Sequence, residues 1–275
     1  MNKIIRIGAL ISGGGTNLQA IIDACESGRI NGKIVFVGSD NPDARGLERG
    51  VKHKIPTFVV NYGLIIQDYK KEPEQVVLPD DFDIDDILAK QSIFPDKTSA
   101  EKVRSFLITR AVAEAKLLEE MKYYQIDLLV LAGFMRNLTP YFIDRVNTVP
   151  GLQRIMNIHP ALLPAFPGVD GYGDTFRYGC KVGGCTVHFV DYGEDSGPII
   201  NQKAFQINEN DTLDSIKKKG LKLEWELYPK CIQFFAQDRL KTVKMSHTLK
   251  NGKIYQRLIV KIAQPALTAR AKNKF

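Results

Sequence analysis

No stretch of eighteen apolar residues occurs in this 275-residue chain, so a membrane-crossing helix is excluded. Its first residues, MNKIIRIGALISGG, run directly into a strand and a glycine turn with no small-residue cleavage site, and a cytoplasmic protein is expected. Cysteine is scarce. The four, at positions 25, 180, 185 and 231, form no C-x-x-C pair, which argues against a disulfide framework and a structural zinc site and leaves free thiols. The four histidines make no H-E-x-x-H or comparable cluster, so no metal is expected. Acidic residues are missing from positions 241–275, which hold nine Lys or Arg. The net charge of +7 therefore belongs to that tail, because the other 240 residues carry 29 basic against 31 acidic side chains. A solvated terminus is the plainer reading of the tail and an RNA or anionic-surface contact the other; nucleic acid is not expected as a partner.

What is present is enough apolar residue, 44% of the chain, for a full core in one large domain or one domain with additions. The first 60 residues alternate strand and helix signals: IIRIGALIS, then NLQAIIDACESG, KIVFVGS, NPDARGLERGVKH and PTFVV. That alternation predicts an α/β fold with a doubly wound, mostly parallel sheet. From Asn61 to Lys97 three prolines and the acidic run DDFDIDD interrupt the period, and an inserted loop segment spanning about 61–105 is expected. Thr98 and Glu101 form a T-x-x-E capping box opening a long amphipathic helix. IDLLVLAGF reads as a buried strand, followed by a helix capped by Thr139 with Pro140 in its first turn. GCTVHFV and GPIINQKAFQI read as two further strands, and residues 212–237 as a closing helix. In TLKNGKIYQRLIV, Asn251-Gly252 predicts a type I′ hairpin, with little fixed structure beyond Gln264. The domain boundaries so read are 1–240 for the main domain and 241–275 for a basic hairpin and tail.

Three motifs carry chemistry. SGGGTNL, Ser12–Leu18, joins a strand to a helix, so the amides of Gly15, Thr16 and Asn17 would favour a phosphate; a tight turn with no ligand is the other reading. In IMNIHPALLPAFPGVDG, strand alternation puts Asn157 and His159 on one face, and prolines 160, 164 and 167 end the strand in a fixed loop. The pair would then stand at a strand's C-terminal mouth, where open α/β sheets bind ligands. Asp195, in DYGEDSGP, completes a trio: a carboxylate near an imidazole orients the ring and favours its charged form, and Asn adds a neutral donor for a developing oxyanion. No serine or cysteine nucleophile stands in motif context, which favours direct transfer between two substrates. Each residue also has a plain structural role open to it: a loop tie, a satisfied core histidine, a turn cap.

Taken together, IGALISGGGTNLQAIIDA, DLLVLAGFMRNLTPYFI, MNIHPALLPAFPG and TVHFVDYGEDSGPII resemble the glycinamide ribonucleotide formyltransferases, of the folate-dependent formyltransferase family, with its Rossmann-like fold. The resemblance covers most of residues 4–60 and 126–240. It implies 10-formyltetrahydrofolate as donor, 5-phosphoribosyl-glycinamide as acceptor, and Asn157, His159 and Asp195 as catalytic residues. On the acceptor side it implies Gly15, Thr16 and Asn17, with Gly13 and Gly14 shaping the turn, Glu224 for the ribose and Met135 beside the glycinamide arm. On the folate side it implies Phe134, Arg136, Leu138, Ile143, Ile155, Val190, Asp191 and Asp195. The chain departs from the pattern in the long 61–105 segment, in Asp170 and Tyr172 where some members have histidines, and in the basic tail. A nucleotide-sugar formyltransferase and a non-catalytic binding relative remain as alternatives, and a homodimer is left open.

Overall fold

Uninterrupted apolar runs pair side by side in this chain because only burial on both faces satisfies them. The computed structural model describes residues 3–95 and 97–264. Its strands β1 (Ile5–Ile11), β2 (Gly32–Ser39), β3 (Thr57–Val59), β4 (Leu128–Leu131) and β5 (Ile155–His159) run parallel, and β6 (Val182–Phe189) and β7 (Ile199–Gln206) are antiparallel additions. The spatial order is β3-β2-β1-β4-β5-β6-β7. Strand alternation feeds two cores: Ile7, Leu128 and Val130 pack with α1 (Thr16–Glu26) and α8 (Leu213–Ala236), while Leu10, Leu129 and Leu131 pack with α5 (Ala100–Met121) and α6 (Pro140–Val146). The chain leaves β1 toward β2 and β3 but returns at β4 to build the other way. The crevice at the C-terminal ends of β1, β4 and β5 is thereby opened by topology alone.

The segment expected to be a loop is not one. It holds α3 (Tyr62–Lys71), one 3₁₀ turn and α4 (Ile84–Lys90), each α-helix capped by a side chain: Asn61 Oδ1 accepts from Leu64 N, and Asp83 Oδ1 from Asp85 N and Asp86 N. Phe82, Ile87 and Phe94 join Val103, Phe106, Leu107 and Tyr141 in a third small apolar cluster. Helices of ten and seven residues are too short to display a clear period, and tertiary packing stabilises them. The cap of α5 is also one residue later than the T-x-x-E motif implies: Ser99, not Thr98, accepts from Lys102 N, at 3.4 Å.

Thr139 precedes α6 as expected, but its hydroxyl donates to Glu114 on α5 rather than capping the helix. The C-terminal hairpin, β8 (Leu240–Thr248) with β9 (Ile254–Ile262), is present with a different turn. Gly252 has φ 79°, Asn251 has no positive φ, and Gly252 N bonds Leu249 O, which is a type I turn followed by a left-handed glycine. The hairpin packs Leu240 and Val260 against the first core. The expectation for residues beyond Gln264 lies outside the described residues. No helix among those described is long and apolar enough to cross a membrane.

Candidate active site

β1 ends at Ile11, and Gly15 enters α1 at φ 66°, where a Cβ would lie 2.8 Å from Gly46 Cα. The Gly13 carbonyl accepts from Gly46 N, and the Gly14 carbonyl from Arg49 Nε at 2.9 Å, both on or beside α2 (Gly46–Lys52). In a trans peptide the N–H opposes the C=O, so the Gly14 and Gly15 amides are turned away from α2. A Cβ on Gly13 or Gly14 would meet nothing within 4 Å, which leaves the loop open to a ligand. Thr16 is the first, exposed residue of α1, and the helix N-terminus adds its partial positive charge.

Asn17 sits in the first turn of α1 and is buried. Its Nδ2 donates to Glu224 Oε2 at 2.7 Å, and the Tyr172 hydroxyl donates to Glu224 Oε1 at 2.6 Å. Both donors fix the Glu224 carboxylate on α8, and burial followed by that carboxylate pushes the Tyr172 phenol far up. Asn17 lines the cleft, and its Oδ1 is buried with no hydrogen-bond partner among the described residues.

β5 delivers Asn157 and His159, and β6 places His188 directly opposite Asn157. His159 is 3% exposed, with Nδ1 3.0 Å from Asp195 Oδ2 and Nε2 2.7 Å from the Phe166 carbonyl. Both neighbours only accept, so both ring nitrogens carry protons in this arrangement, the pattern of an imidazolium. Burial opposes that charge, but the hydrogen bond and charge of Asp195 outweigh it, and the His159 pKa is raised. Asp195 is held well below the usual carboxylate range: burial works against this, and the bonds to His159 and His188 overcome it. Gly168 N also donates to Asp195 Oδ2, at 2.9 Å. Asp195 itself has φ 49°, a left-handed conformation costing about 1–2 kcal/mol for a residue with a Cβ.

His188 was not singled out from the sequence. Its Nδ1 lies 2.9 Å from the Phe189 carbonyl, and its Nε2 lies 3.4 Å from Asn157 Nδ2 and 3.5 Å from Asp195 Oδ1, so the ring bridges two members of the trio. A lone histidine inside an apolar strand was the available signal, but only the β5–β6 register sets it beside the trio.

The β4 end supplies Phe134, Met135, Arg136 and Leu138, all lining the cleft. Met135 N donates to Ser12 Oγ at 2.7 Å, and Arg136 Nε to the buried Asp40 at 2.5 Å. Arg110, on α5, is the other residue missed: it is 7% exposed, stacked on Phe106 and Tyr62, and its Nε and Nη1 have no partner among the described residues. Among the described residues no carboxylate is in direct contact with it, although the charges of Glu114 and Asp40 reach it, so this buried guanidinium lining the cleft is a candidate anion site.

Asn17, Asn157, His159, Asp195, Glu224 and Val190 line the same cavity, about 500 Å³, as the β4-end residues. Ile143 and Ile155, expected at its wall, lie in the second core with 3% and 0% exposure and do not line it. Asp191 faces its own loop, accepting from Gly193 N and Ser196 Oγ. Among the described residues no group of three or more His, Cys, Asp or Glu side chains is arranged to hold a metal ion.

Residues 5–232 match the family of formyl transferases. A phosphoribosylglycinamide formyltransferase of Bacillus subtilis is 32% identical over 81% of this chain and 90% of its own length, and the Escherichia coli protein of that name is 32% identical over 86% and 90%. A crystal structure of a glycinamide ribonucleotide transformylase from Symbiobacterium toebii superposes with a TM-score of 0.66 at 34% identity, covering 95% of both chains.

Proposed function

This chain belongs to the formyl transferase family, and from that membership we propose that it transfers a formyl group from 10-formyltetrahydrofolate to the amine of 5-phosphoribosyl-glycinamide, a step of purine biosynthesis. The observation that carries the reading is His159, doubly engaged and held beside Asp195, next to Asn157 in one cleft with an open glycine loop and a buried, unpaired Arg110.

The roles follow from charge. As the acceptor amine attacks the formyl carbon, negative charge gathers on the formyl oxygen; Asn157 Nδ2 offers a neutral donor and His159 a buried positive charge. Asp195 keeps His159 charged. The Nε2 proton of His159 rests on the Phe166 carbonyl, so its field acts at once, while direct donation requires that bond to give way. Water carries the amine's surplus proton to the folate nitrogen as its C–N bond to the formyl carbon breaks, so the electron pair of that bond and the proton both leave with the folate as a neutral amine. At the acceptor end the amides of Gly15, Thr16 and Asn17 bind the phosphate on the turn shaped by Gly13 and Gly14, Glu224 takes the ribose hydroxyls, and Met135 flanks the glycinamide arm. At the donor end Phe134, Leu138 and Val190 contact the pterin, and Arg110 with Arg136 suits the carboxylates of the folate tail. Ile143 and Ile155 support that pocket from behind, and Asp191 holds its loop. Residues 1–240 form the catalytic unit in this reading, a cytoplasmic protein with small-molecule substrates.

The test is a spectrophotometric assay with 10-formyl-dideazafolate and glycinamide ribonucleotide, wild type beside His159→Ala. Turnover by the wild type with a loss of about 10²–10³-fold in the variant is expected. Folate binding without turnover would overturn the acceptor assignment and direct attention to amino-sugar nucleotides.

A further inference from the structure

Two segments outside the sheet converge on the loop that carries Asp195. Before it, Ser92 N donates to the Tyr192 carbonyl at 2.9 Å, and Ser92 pairs with Gly193 as an isolated parallel bridge. The Tyr192 hydroxyl donates to Asp144 Oδ1 at 2.5 Å, and Asp144 Oδ2 accepts from Lys90 Nζ, on the last residue of α4, at 2.9 Å. After it, Arg257 Nη2, on β9, donates to the Ser196 carbonyl at 2.9 Å. Within the loop Asp191 Oδ1 accepts from Gly193 N and from Ser196 Oγ, at 3.2 and 2.6 Å. The fit is tight: a Cβ on Gly193 would lie 2.3 Å from Ser196 Oγ and 2.8 Å from Ser92 Oγ, and one on Gly197 1.8 Å from the Phe189 carbonyl.

We propose that the α4–α5 connection and the C-terminal hairpin together hold this loop, and that Ser92 and Arg257 are positioning residues that keep the Asp195 carboxylate on His159. The proposal rests on the role given to Asp195 above. A non-glycine residue at φ 49° persists only where its surroundings over-determine it. Here the flanking carbonyls of Tyr192 and Ser196 are anchored by donors from two separate elements. Losing either anchor lets the backbone relax toward negative φ and draws Oδ2 away from Nδ1. The groups facing His159 are Asp195, the Phe166 carbonyl and Glu224 on α8, with His188 on the far side of Asp195. Of these, only Asp195 sits on the anchored loop.

Ser92→Pro removes the donating N–H, and Gln91 already has φ −66° and ψ 142°, the region a following proline requires. Ser92→Ala keeps the N–H and serves as its control. Arg257→Met keeps the stem without the donor, and Arg257→Lys restores one. The first readout is the His159 ring titration by NMR in ligand-free protein, and the second is kcat against acceptor KM. In Ser92→Pro and Arg257→Met the His159 inflection is expected to fall by about one pH unit and kcat about tenfold, with KM changed less than about twofold. Ser92→Ala and Arg257→Lys are expected to track the wild type. A wild-type inflection in folded Ser92→Pro and Arg257→Met overturns the proposal; if Ser92→Pro does not fold, Arg257→Met, on an exposed hairpin strand, decides alone. The titration needs no substrate, so a wrong acceptor assignment would show in the turnover assay and leave this result standing.

Discussion

His159 shows how burial and partnership compete at a single residue. Desolvation alone would strip its proton, and Asp195 reverses that, so its folded pKa lies above the ordinary value of 6.5. Two consequences have the same sign. Stability from this pair is fully present below pH 6.5 and is lost as pH rises through the folded pKa; under the proposed mechanism turnover is expected to decline over the same alkaline limb. Asp195→Asn keeps the shape and removes the charge, so the alkaline inflection of the kcat profile is expected to move to lower pH, below that of the wild type. An unchanged inflection would mean that another group governs the limb. Asn157 and His159 were legible because strand alternation and the proline stop are local features. His188 and Arg110 were not, since a register and a helix packing placed them.

The elements outside the strand–helix alternation were read least well, and each for a physical reason. Short helices in residues 61–95 take their stability from caps and from aromatic packing on α5 and α6, neither of which leaves a period in the sequence. Glu114 joins the two helices they pack on: fully buried on α5, it accepts from both the amide and the hydroxyl of Thr139 at the start of α6. Burial pushes its pKa up to about 7, against the two Thr139 hydrogen bonds. A carboxyl whose folded pKa is raised favours folding below its unfolded pKa of 4.5 and loses that contribution as pH climbs through about 7. Glu114→Gln should therefore narrow the gap in unfolding free energy between pH 5 and pH 8 by on the order of 2–3 kcal/mol, measured by urea denaturation at both pH values. A gap equal to that of the wild type would show that the carboxyl titrates normally.

At the scale of the whole molecule, the scarcity of cysteine becomes a probe of the fold. Cys185 and Cys231 are buried, and burial pushes the thiols of Cys25 and Cys185 up to about 12 and that of Cys231 higher still. In native protein at pH 8 a thiol reagent such as Ellman's should label Cys180 first, and the other three should react only as the chain unfolds. Rapid labelling of all four would contradict the packing of α1 and α8 on the sheet. The basic hairpin belongs to this scale too: its strands carry charge outward, while Leu240 and Val260 tie it to the core and Arg257 to the Asp195 loop.

By itself the sequence determined the α/β alternation, the glycine turn after β1 and the Asn157–His159 pair at a strand's end, because propensity, alternation and proline chemistry act over a few residues. Only the tertiary structure decided that Asp195 adopts a left-handed backbone against His159, that His188 and Arg110 face the cleft, and that Ile143 and Ile155 do not. Those outcomes depend on contacts between residues far apart in the chain, and on which buried polar groups find partners, and neither is encoded in any local window.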